Sequence, residues 1–149
     1  MNYDFQIVDF GSVLYNSSVN LREAILRKPL GMTFSEEDLA NEKEQLHLVV
    51  AVDGAVHGVT LLKKINQKIC KLRQFAVSEA LQGKGLGRKL LQYFEEVARL
   101  QGYSIVELNA RKSAYIFYEK LGYQVQGVEF QEVGIPHFKM TKKLSEVSP

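Results

Sequence analysis

The residue types and spacing that most clearly predict ligand binding lie in a short glycine-rich and basic loop. Its sequence is Gln82-Gly83-Lys84-Gly85-Leu86-Gly87-Arg88. It follows a strand-like run and precedes an amphipathic helical pattern. Glycines let backbone N–H groups come close to a ligand, and a helix start presents unpaired donors and the positive end of the helix dipole. The loop therefore predicts a site for phosphate or pyrophosphate. Lys84, Arg88 and Lys89 add positive charge there.

The glycine spacing excludes two common nucleotide-binding patterns. Gly83, Gly85 and Gly87 alternate, whereas a dinucleotide-binding fingerprint requires G-x-G-x-x-G. A Walker A loop ends in Gly-Lys-Ser/Thr, but Gly87 is followed by Arg88 and Lys89. The remaining alternative is a turn without a ligand. We disfavour it, because three glycines cost backbone entropy with no visible gain in folding.

Length and composition predict a single domain over residues 1–149, with 46% hydrophobic and 24% charged residues. The net charge of +2 gives no reason to expect a nucleic-acid or membrane partner. Asp4 and Asp9 argue against a signal peptide, and no apolar run approaches the roughly 20 residues of a membrane span. We therefore expect a cytoplasmic protein. Cys70, the only cysteine, excludes an intramolecular disulfide and is expected to pack in the core, and no metal site is expected.

The apolar periodicity predicts an α+β fold, with a mixed and mostly antiparallel sheet of six to seven strands flanked by about four helices. The predicted strands are residues 5–10, 46–52, 55–62, 69–77, 104–109, 123–130 and 137–142. The predicted helices are residues 12–27, 35–39, 85–101 and 114–121. The strands before and after the third helix should form a parallel pair.

Local signals mark several of the boundaries. Residues 35–38 have the pattern of a capping box, and Ser113 is a plausible cap for the last helix. Asp53-Gly54 predicts a tight hairpin turn, and residues 134–136 predict the turn between the last two strands.

Two blocks of the sequence resemble the GNAT acetyltransferases. The stretch Gln82-Gly83-Lys84-Gly85-Leu86-Gly87 resembles that family's Q/R-x-x-G-x-G/A motif, which also lies between a strand and a helix. Downstream, Asn109 followed by Tyr118-Glu119-Lys120-Leu121-Gly122-Tyr123 resembles the family's second block. Residues 21–32 and 134–137 resemble a branch of small bacterial members. The resemblance covers nearly the whole chain and implies the GNAT fold.

The resemblance implies acetyl-coenzyme A as the acetyl donor. Its pyrophosphate would bind the loop amides, and its pantetheine arm would pair with the strand before the loop, a form of strand addition. Asn109 would hydrogen-bond the same arm. The implied donor-binding residues are Phe75, Ala76, Val77, Gln82, Gly83, Lys84, Gly85, Leu86, Gly87, Arg88 and Asn109.

Tyr118 has the position of the family's usual general acid. A phenol within hydrogen-bond reach can protonate the coenzyme A thiolate that leaves during acyl transfer. The spacing of Ala114, Phe117, Tyr118 and Leu121 turns this side chain toward the apolar face of its helix. The alternative is an ordinary core tyrosine.

The general base is not fixed by either block. An alkylammonium group titrates near pH 10.4 and must lose its proton before it attacks. The candidates are His137, Glu132, His57 and a water relayed through backbone carbonyls. We take His137 as the catalytic candidate, because it follows the turn at the end of the sheet where acceptor sites of the family lie.

The expected function is direct transfer of an acetyl group from acetyl-coenzyme A to a primary amine of a small molecule. No Cys or Ser has a recognisable nucleophile arrangement, which favours direct transfer. The alternatives are a non-catalytic acyl-coenzyme A sensor and a protein or peptide N-acetyltransferase. A homodimer formed through a sheet edge is also compatible with the resemblance.

Several other charged residues are expected to be structural. Arg22 and Arg73 are expected in solvated salt bridges, with binding of an anionic acceptor as the alternative. Residues 42–44 and 95–96 are expected on exposed helical faces.

Overall fold

A seven-stranded mixed sheet organises the chain. The computed structural model describes residues 2–145. All neighbouring strands are antiparallel except β4 and β5, which are parallel. This agrees with the predicted α+β fold with a mixed and mostly antiparallel sheet. The order across the sheet is β1-β2-β3-β4-β5-β7-β6. The strands are β1 (Tyr3–Val8), β2 (Leu46–Val52), β3 (Ala55–Lys64), β4 (Ile69–Val77), β5 (Ile105–Arg111), β6 (Gln124–Glu132) and β7 (Ile135–Lys143).

Four α-helices connect these strands: α1 (Val13–Arg22), α2 (Glu36–Ala40), α3 (Leu86–Leu100) and α4 (Tyr115–Lys120). A π-helical turn, Glu23–Arg27, and a 3₁₀ turn, Lys28–Leu30, extend α1. The predicted capping box of α2 is confirmed, since Ser35 and Asp38 bond reciprocally, side chain to backbone, at 3.0 and 3.1 Å.

The core lies on both faces of the sheet, because successive strand residues point to opposite sides. On β2, Leu48 and Val50 pack in the clusters that include α3, while Val49 packs in the cluster that includes α1. Cys70 is fully buried on the α3 side, as predicted. Burial raises the pKa of the Cys70 thiol to about 12, so it stays a neutral packing group.

The parallel pair β4–β5 separates halfway along its length. The two strands pair over only four positions, from Ile69 opposite Ile105 to Leu72 opposite Leu108. Beyond this point β4 has a bulge, because its register against β3 shifts around Thr60. Gln74 in the bulge has a φ of 55°, which is uncommon for a residue other than glycine. The result is a gap between the second halves of β4 and β5.

Two predicted local signals are wrong. The cap of α4 is Ala114 and not Ser113, and no side chain caps this helix. The last hairpin turns at Val133 and Gly134, both with positive φ, whereas residues 135 and 136 already belong to β7. A two-residue hairpin turn favours positive φ at both positions, which explains why the turn is shorter than predicted.

Glu95 is buried, contrary to the prediction of an exposed helical face, whereas Glu96 is exposed as predicted. The Tyr123 hydroxyl donates to Glu95 at 2.7 Å, and Lys142 Nζ donates to the same carboxylate at 3.0 and 3.2 Å. Burial first, and the Glu95 charge second, raise the pKa of the Tyr123 phenol. These contacts connect α3 to the last two strands.

Glu42 and Arg22 are also buried, contrary to prediction. Arg22 is 0% exposed, and its Nη2 donates to both carboxylate oxygens of Glu42, at 2.7 and 2.9 Å. Arg73 Nη1 donates to Glu42 Oε2 at 3.2 Å and remains partly exposed. The ion pair is buried because the end of α1 and the segment after α2 pack together over β4. Pairing offsets the desolvation of both charges.

No helix within residues 2–145 is long and apolar enough to cross a membrane.

We predict that Glu42→Gln destabilises the fold, because it leaves the Arg22 guanidinium buried without a counter-ion. Breaking a buried pair costs about 3–5 kcal/mol. For a domain of this size the melting temperature should fall by roughly 6–20 °C. Glu44→Gln is the matched control, since Glu44 is exposed and the charge change is the same. Equal melting temperatures for the two variants would contradict the structural role of this pair.

Candidate active site

A cleft of about 370 Å³ opens where β4 and β5 separate. Five residues predicted from the sequence to bind the donor or to act as acid or base line it: Phe75, Asn109, Tyr118, Glu132 and His137. They come from β4, β5, α4 and the final hairpin. The fold therefore brings the two predicted catalytic side chains and part of the predicted donor site into one cavity.

Tyr118 is buried in an aromatic environment at this cleft. Its ring makes edge contacts with Phe75, Phe117 and Tyr123, with centroid distances of 6.0, 5.1 and 5.9 Å. The residue is 7% exposed. Burial raises the pKa of the Tyr118 phenol above its usual value, so the hydroxyl keeps its proton at neutral pH. A protonated hydroxyl at the edge of a cavity is the form that a general acid needs.

His137 is held in one orientation by its backbone neighbour. Its Nδ1 lies 2.8 Å from the carbonyl oxygen of Ile135, and the side chain is almost fully buried. Because a carbonyl oxygen can only accept, Nδ1 carries the hydrogen in this contact. In the neutral ring Nε2 then has a free lone pair, and it lies 3.5 Å from Glu132 Oε2. The arrangement resembles a base oriented by its neighbours.

Glu132 joins His137 to β5. Asn109 Nδ2 donates to Glu132 Oε1 at 3.1 Å, and the glutamate side chain is about half exposed. Asn109, Glu132 and His137 thus form a polar wall of the cleft. The contact between Asn109 and Glu132 had no signal in the sequence, since it joins residues 23 positions apart.

The glycine-rich loop has the backbone conformation expected of an anion site. Gly83 and Gly85 have φ values of 77° and 81°, and Gly85 is the N-terminal cap of α3. No side chain caps this helix, and its first turn contains no acidic residue. The first backbone amides of α3 are therefore available to an external acceptor. Gln82 Nε2 donates to the carbonyl of Val77 at 3.1 Å and fixes the loop to the end of β4.

The loop lies next to the cleft. A Cβ added to Gly87 would lie 3.4 Å from the Phe117 ring and 3.8 Å from that of Phe75. Lys84 and Arg88 are exposed beside the loop, while Lys89 Nζ lies 4.7 Å from the ring centroid of Tyr3. One anionic ligand can therefore contact the loop and reach the aromatic side of the cleft.

The end of β4 has a free backbone edge. Ala76 and Val77 pair with Val59 and Gly58 of β3 on one side. On the other side the ladder with β5 has already ended at Leu72. Those backbone donors and acceptors of residues 74–77 that point away from β3 thus face the gap, where an extended ligand with amide groups can pair with them.

His57 does not line the cleft. Its Nδ1 lies 2.8 Å from the hydroxyl oxygen of Ser78, on the opposite side of the β4 end. This contact gives His57 a structural role among the residues described.

Two arginines of the cleft, Arg27 and Arg111, were not among the residues predicted from the sequence. Arg111 had a usable signal, because it follows Asn109 by two positions in a strand and so shares its face. Arg27 had none, since it belongs to the π-helical turn after α1. Arg73 also borders the cleft. It was predicted to form a salt bridge, with binding of an anionic acceptor as the alternative.

Comparison with known proteins agrees with this geometry. Residues 27–144 match the family model described as acetyltransferase (GNAT) domain. The chain is 32% identical over 123 residues to the uncharacterized N-acetyltransferase YjcF of Bacillus subtilis, covering 82% of this chain and 87% of that protein.

Solved structures share the fold. Escherichia coli ElaA superposes with a TM-score of 0.81 at 19% identity, over 95% of this chain and all of that one. A GNAT family acetyltransferase from Elizabethkingia anophelis, crystallised with acetyl-CoA, superposes with a TM-score of 0.76 at 16% identity, over 96% of this chain and 99% of that one. The separated strands, the glycine loop and the buried tyrosine agree with the matches to the family model and to YjcF. The chain therefore belongs to the acetyltransferase (GNAT) family.

Proposed function

We propose that this protein transfers an acetyl group directly from acetyl-CoA to a primary amine of a small molecule. The observation that carries the proposal is the meeting of the buried Tyr118 and the oriented His137 at one cleft beside the glycine loop. The cleft volume of about 370 Å³ lies within the range of small-molecule sites. A sensor that only bound the donor would need neither a buried acid nor an oriented base.

In this proposal the backbone amides of residues 82–88 bind the donor pyrophosphate, and Lys84 and Arg88 add positive charge. The positive φ of Gly83 and Gly85 supports this role, because it turns successive amides outward. The Elizabethkingia anophelis neighbour was crystallised with acetyl-CoA, which supports the choice of donor.

The pantetheine arm pairs with the free edge of β4 at Phe75, Ala76 and Val77. Asn109 contributes its carbonyl oxygen or its second N–H, since the other N–H donates to Glu132. The gap between β4 and β5 supports this placement, because pantetheine amides can replace the missing strand–strand hydrogen bonds. The acetyl end then lies near Phe75 and Tyr118.

The chemical step uses one base and one acid. His137 Nε2 takes the proton that the acceptor ammonium must lose. The amine nitrogen then forms a bond with the thioester carbonyl carbon, and the carbon–sulfur bond breaks. The departing sulfur takes the proton of the Tyr118 hydroxyl, the acylated nitrogen gives up its second proton to water, and water returns a proton to the phenolate. His137 then releases its own proton to solvent. The carbonyl oxygen of Ile135 keeps the imidazole oriented, and the Glu132 carboxylate beside Nε2 attracts the incoming ammonium group.

We predict that acetyl-CoA at 100 times its dissociation constant stabilises the folded protein by about 2.7 kcal/mol, which a thermal melt detects. Gly85→Val should remove most of this shift, because the side chain strains the loop that presents the amides. Gly102→Val is the control: Gly102 also has positive φ, but at the far end of α3. Absence of any shift with millimolar acetyl-CoA would overturn the donor site.

We predict that Tyr118→Phe lowers turnover by about 10²-fold while preserving the thermal shift with acetyl-CoA, because only the proton donor is removed. The measurement is thiol release from acetyl-CoA with a panel of primary amines. Tyr115→Phe is the matched control on the same helix, where Tyr115 packs against Phe138. Unchanged turnover in Tyr118→Phe would place the acid elsewhere.

We predict that His137→Gln lowers turnover by at least about 10²-fold, since the amine loses its proton acceptor. His57→Gln, outside the cleft, should leave turnover unchanged. Glu132→Gln should have a smaller effect than His137→Gln. The reverse order, with Glu132→Gln more severe, would identify the carboxylate as the base and His137 as its positioning residue.

A further inference from the structure

The cleft carries more positive charge than acetyl transfer itself requires. Within the described part of the chain, four cationic side chains line it against a single carboxylate, that of Glu132. The four are Arg27, Lys71, Arg73 and Arg111. Of these, Arg73 has a carboxylate partner, because it contacts Glu42. The excess charge is therefore concentrated on the other three.

Two of these cations converge on one backbone atom. Arg27 Nη1 donates to the carbonyl oxygen of Leu26 at 3.2 Å, and Arg111 Nη2 donates to the same oxygen at 3.0 Å. Within residues 2–145, neither guanidinium has a carboxylate within 4.0 Å. The positive charges of Arg27 and Arg111 are thus held close together by the neutral carbonyl group of Leu26.

This arrangement is electrostatically unfavourable in the protein as it stands. Burial lowers the pKa of Arg27, and the charges of Arg111 and Arg22 lower it further, while the more weakly acting charges of Glu42 and Asp38 offset only part of this. Arg22 Nη1 is itself buried without a hydrogen-bond partner. Partly buried guanidinium groups ordinarily pair with carboxylates or phosphates, which match their planar donors. An anion placed between Arg27 and Arg111 would supply the missing counter-charge.

The part of the cleft beside Arg111 suits an ammonium group. Among residues 2–145, Glu132 is the only carboxylate that lines the cleft, and His137 lies beside it. Arg111 is the cross-strand partner of His137 in the β5–β7 ladder. Directly opposed residues have Cβ atoms about 5 Å apart, so the arginine and the proposed base are neighbours. The anion site and the ammonium site are therefore adjacent, so one small molecule can contact both.

We propose that the acceptor is a small amine that also carries an anionic group, a carboxylate or a phosphate monoester, bound by Arg27 and Arg111. This assignment rests on the proposed acetyltransferase function and adds the substrate class. The anion contacts the two guanidinium groups, while the amine lies toward Glu132 and His137.

These arginines are well placed for the acceptor and not for the donor pyrophosphate. Arg27 follows α1, which packs on the face of the sheet opposite to α3. The glycine loop begins α3. Phosphates bound at that loop therefore lie on the other side of the sheet, and Arg27 and Arg111 remain free to bind an acceptor.

Matched amine pairs test the proposal on the unmodified protein. The pairs are β-alanine with β-alaninamide and phosphoethanolamine with ethanolamine, each assayed by thiol release from acetyl-CoA. We expect kcat/KM to be at least tenfold higher for the anionic member of one pair. The pair that shows the preference distinguishes carboxylate from phosphate. Turnover with equal or higher kcat/KM for the neutral members in both pairs would overturn the proposal.

Arginine variants test the assigned residues. Arg27→Gln and Arg111→Gln should each lower kcat/KM for the preferred anionic amine by at least tenfold and leave that of its neutral partner within about threefold. Arg111→Lys should recover part of the preference. Arg99→Gln is the control, because Arg99 lies on α3 outside the cleft and loses the same charge. An anionic preference that survives both glutamine variants would overturn the role of these arginines.

The thermal shift with acetyl-CoA distinguishes failure of the acceptor proposal from failure of the proposed acetyltransferase function. If acetyl-CoA raises the melting temperature and amines are acetylated without regard to charge, only the acceptor proposal fails. If no amine in the panel releases thiol, the proposed function fails with it. Loss of the acetyl-CoA shift in correctly folded Arg27→Gln or Arg111→Gln would mean that these arginines bind the donor, and would also overturn the acceptor assignment.

Discussion

The separation of β4 from β5 is the constraint on which the rest of the site depends. The two strands pair at four positions and then diverge, helped by the bulge at Gln74. Sheet interiors normally pair their backbone groups, so a free edge inside a sheet is a place where a ligand can substitute for a strand. The cleft is therefore formed by the path of the backbone. Tyr118, His137 and Arg27 then approach it from three different elements.

Two buried charge networks hold those elements around the gap. The Arg22–Glu42 pair joins α1 and the segment after α2 to Arg73 on β4. On the other face, Glu95 joins α3 to Tyr123 and Lys142 at the end of the sheet. Each buried charge has lost its hydration, so its energy depends strongly on correct pairing. The networks therefore hold the helices in place relative to the gap, and removal of one partner leaves the other charge buried and unpaired.

The sequence predicted local features well and solvation poorly. The α2 capping box, the β2–β3 hairpin and the helix after the glycine loop depend on residues a few positions apart, and all were correct. Burial of Glu42 and Glu95 was missed, because both look like ordinary charged helix residues until their partners are known. Those partners, Arg22 and Lys142, lie 20 and 47 positions away. Hydropathy cannot reveal a charge that is buried because it is paired.

The sequence by itself determined the order of helices and strands, the glycine loop and the buried face of Tyr118. These features follow from backbone sterics and from the periodicity of apolar residues. Both act between residues that are close together in the sequence. Only the tertiary structure decided where β4 and β5 part, which nitrogen of His137 is free, and that Arg27 and Arg111 meet at Leu26. The contact between Arg111 and Leu26 spans 85 positions. Such a meeting depends on the packing of α1 against the sheet, which no local pattern encodes.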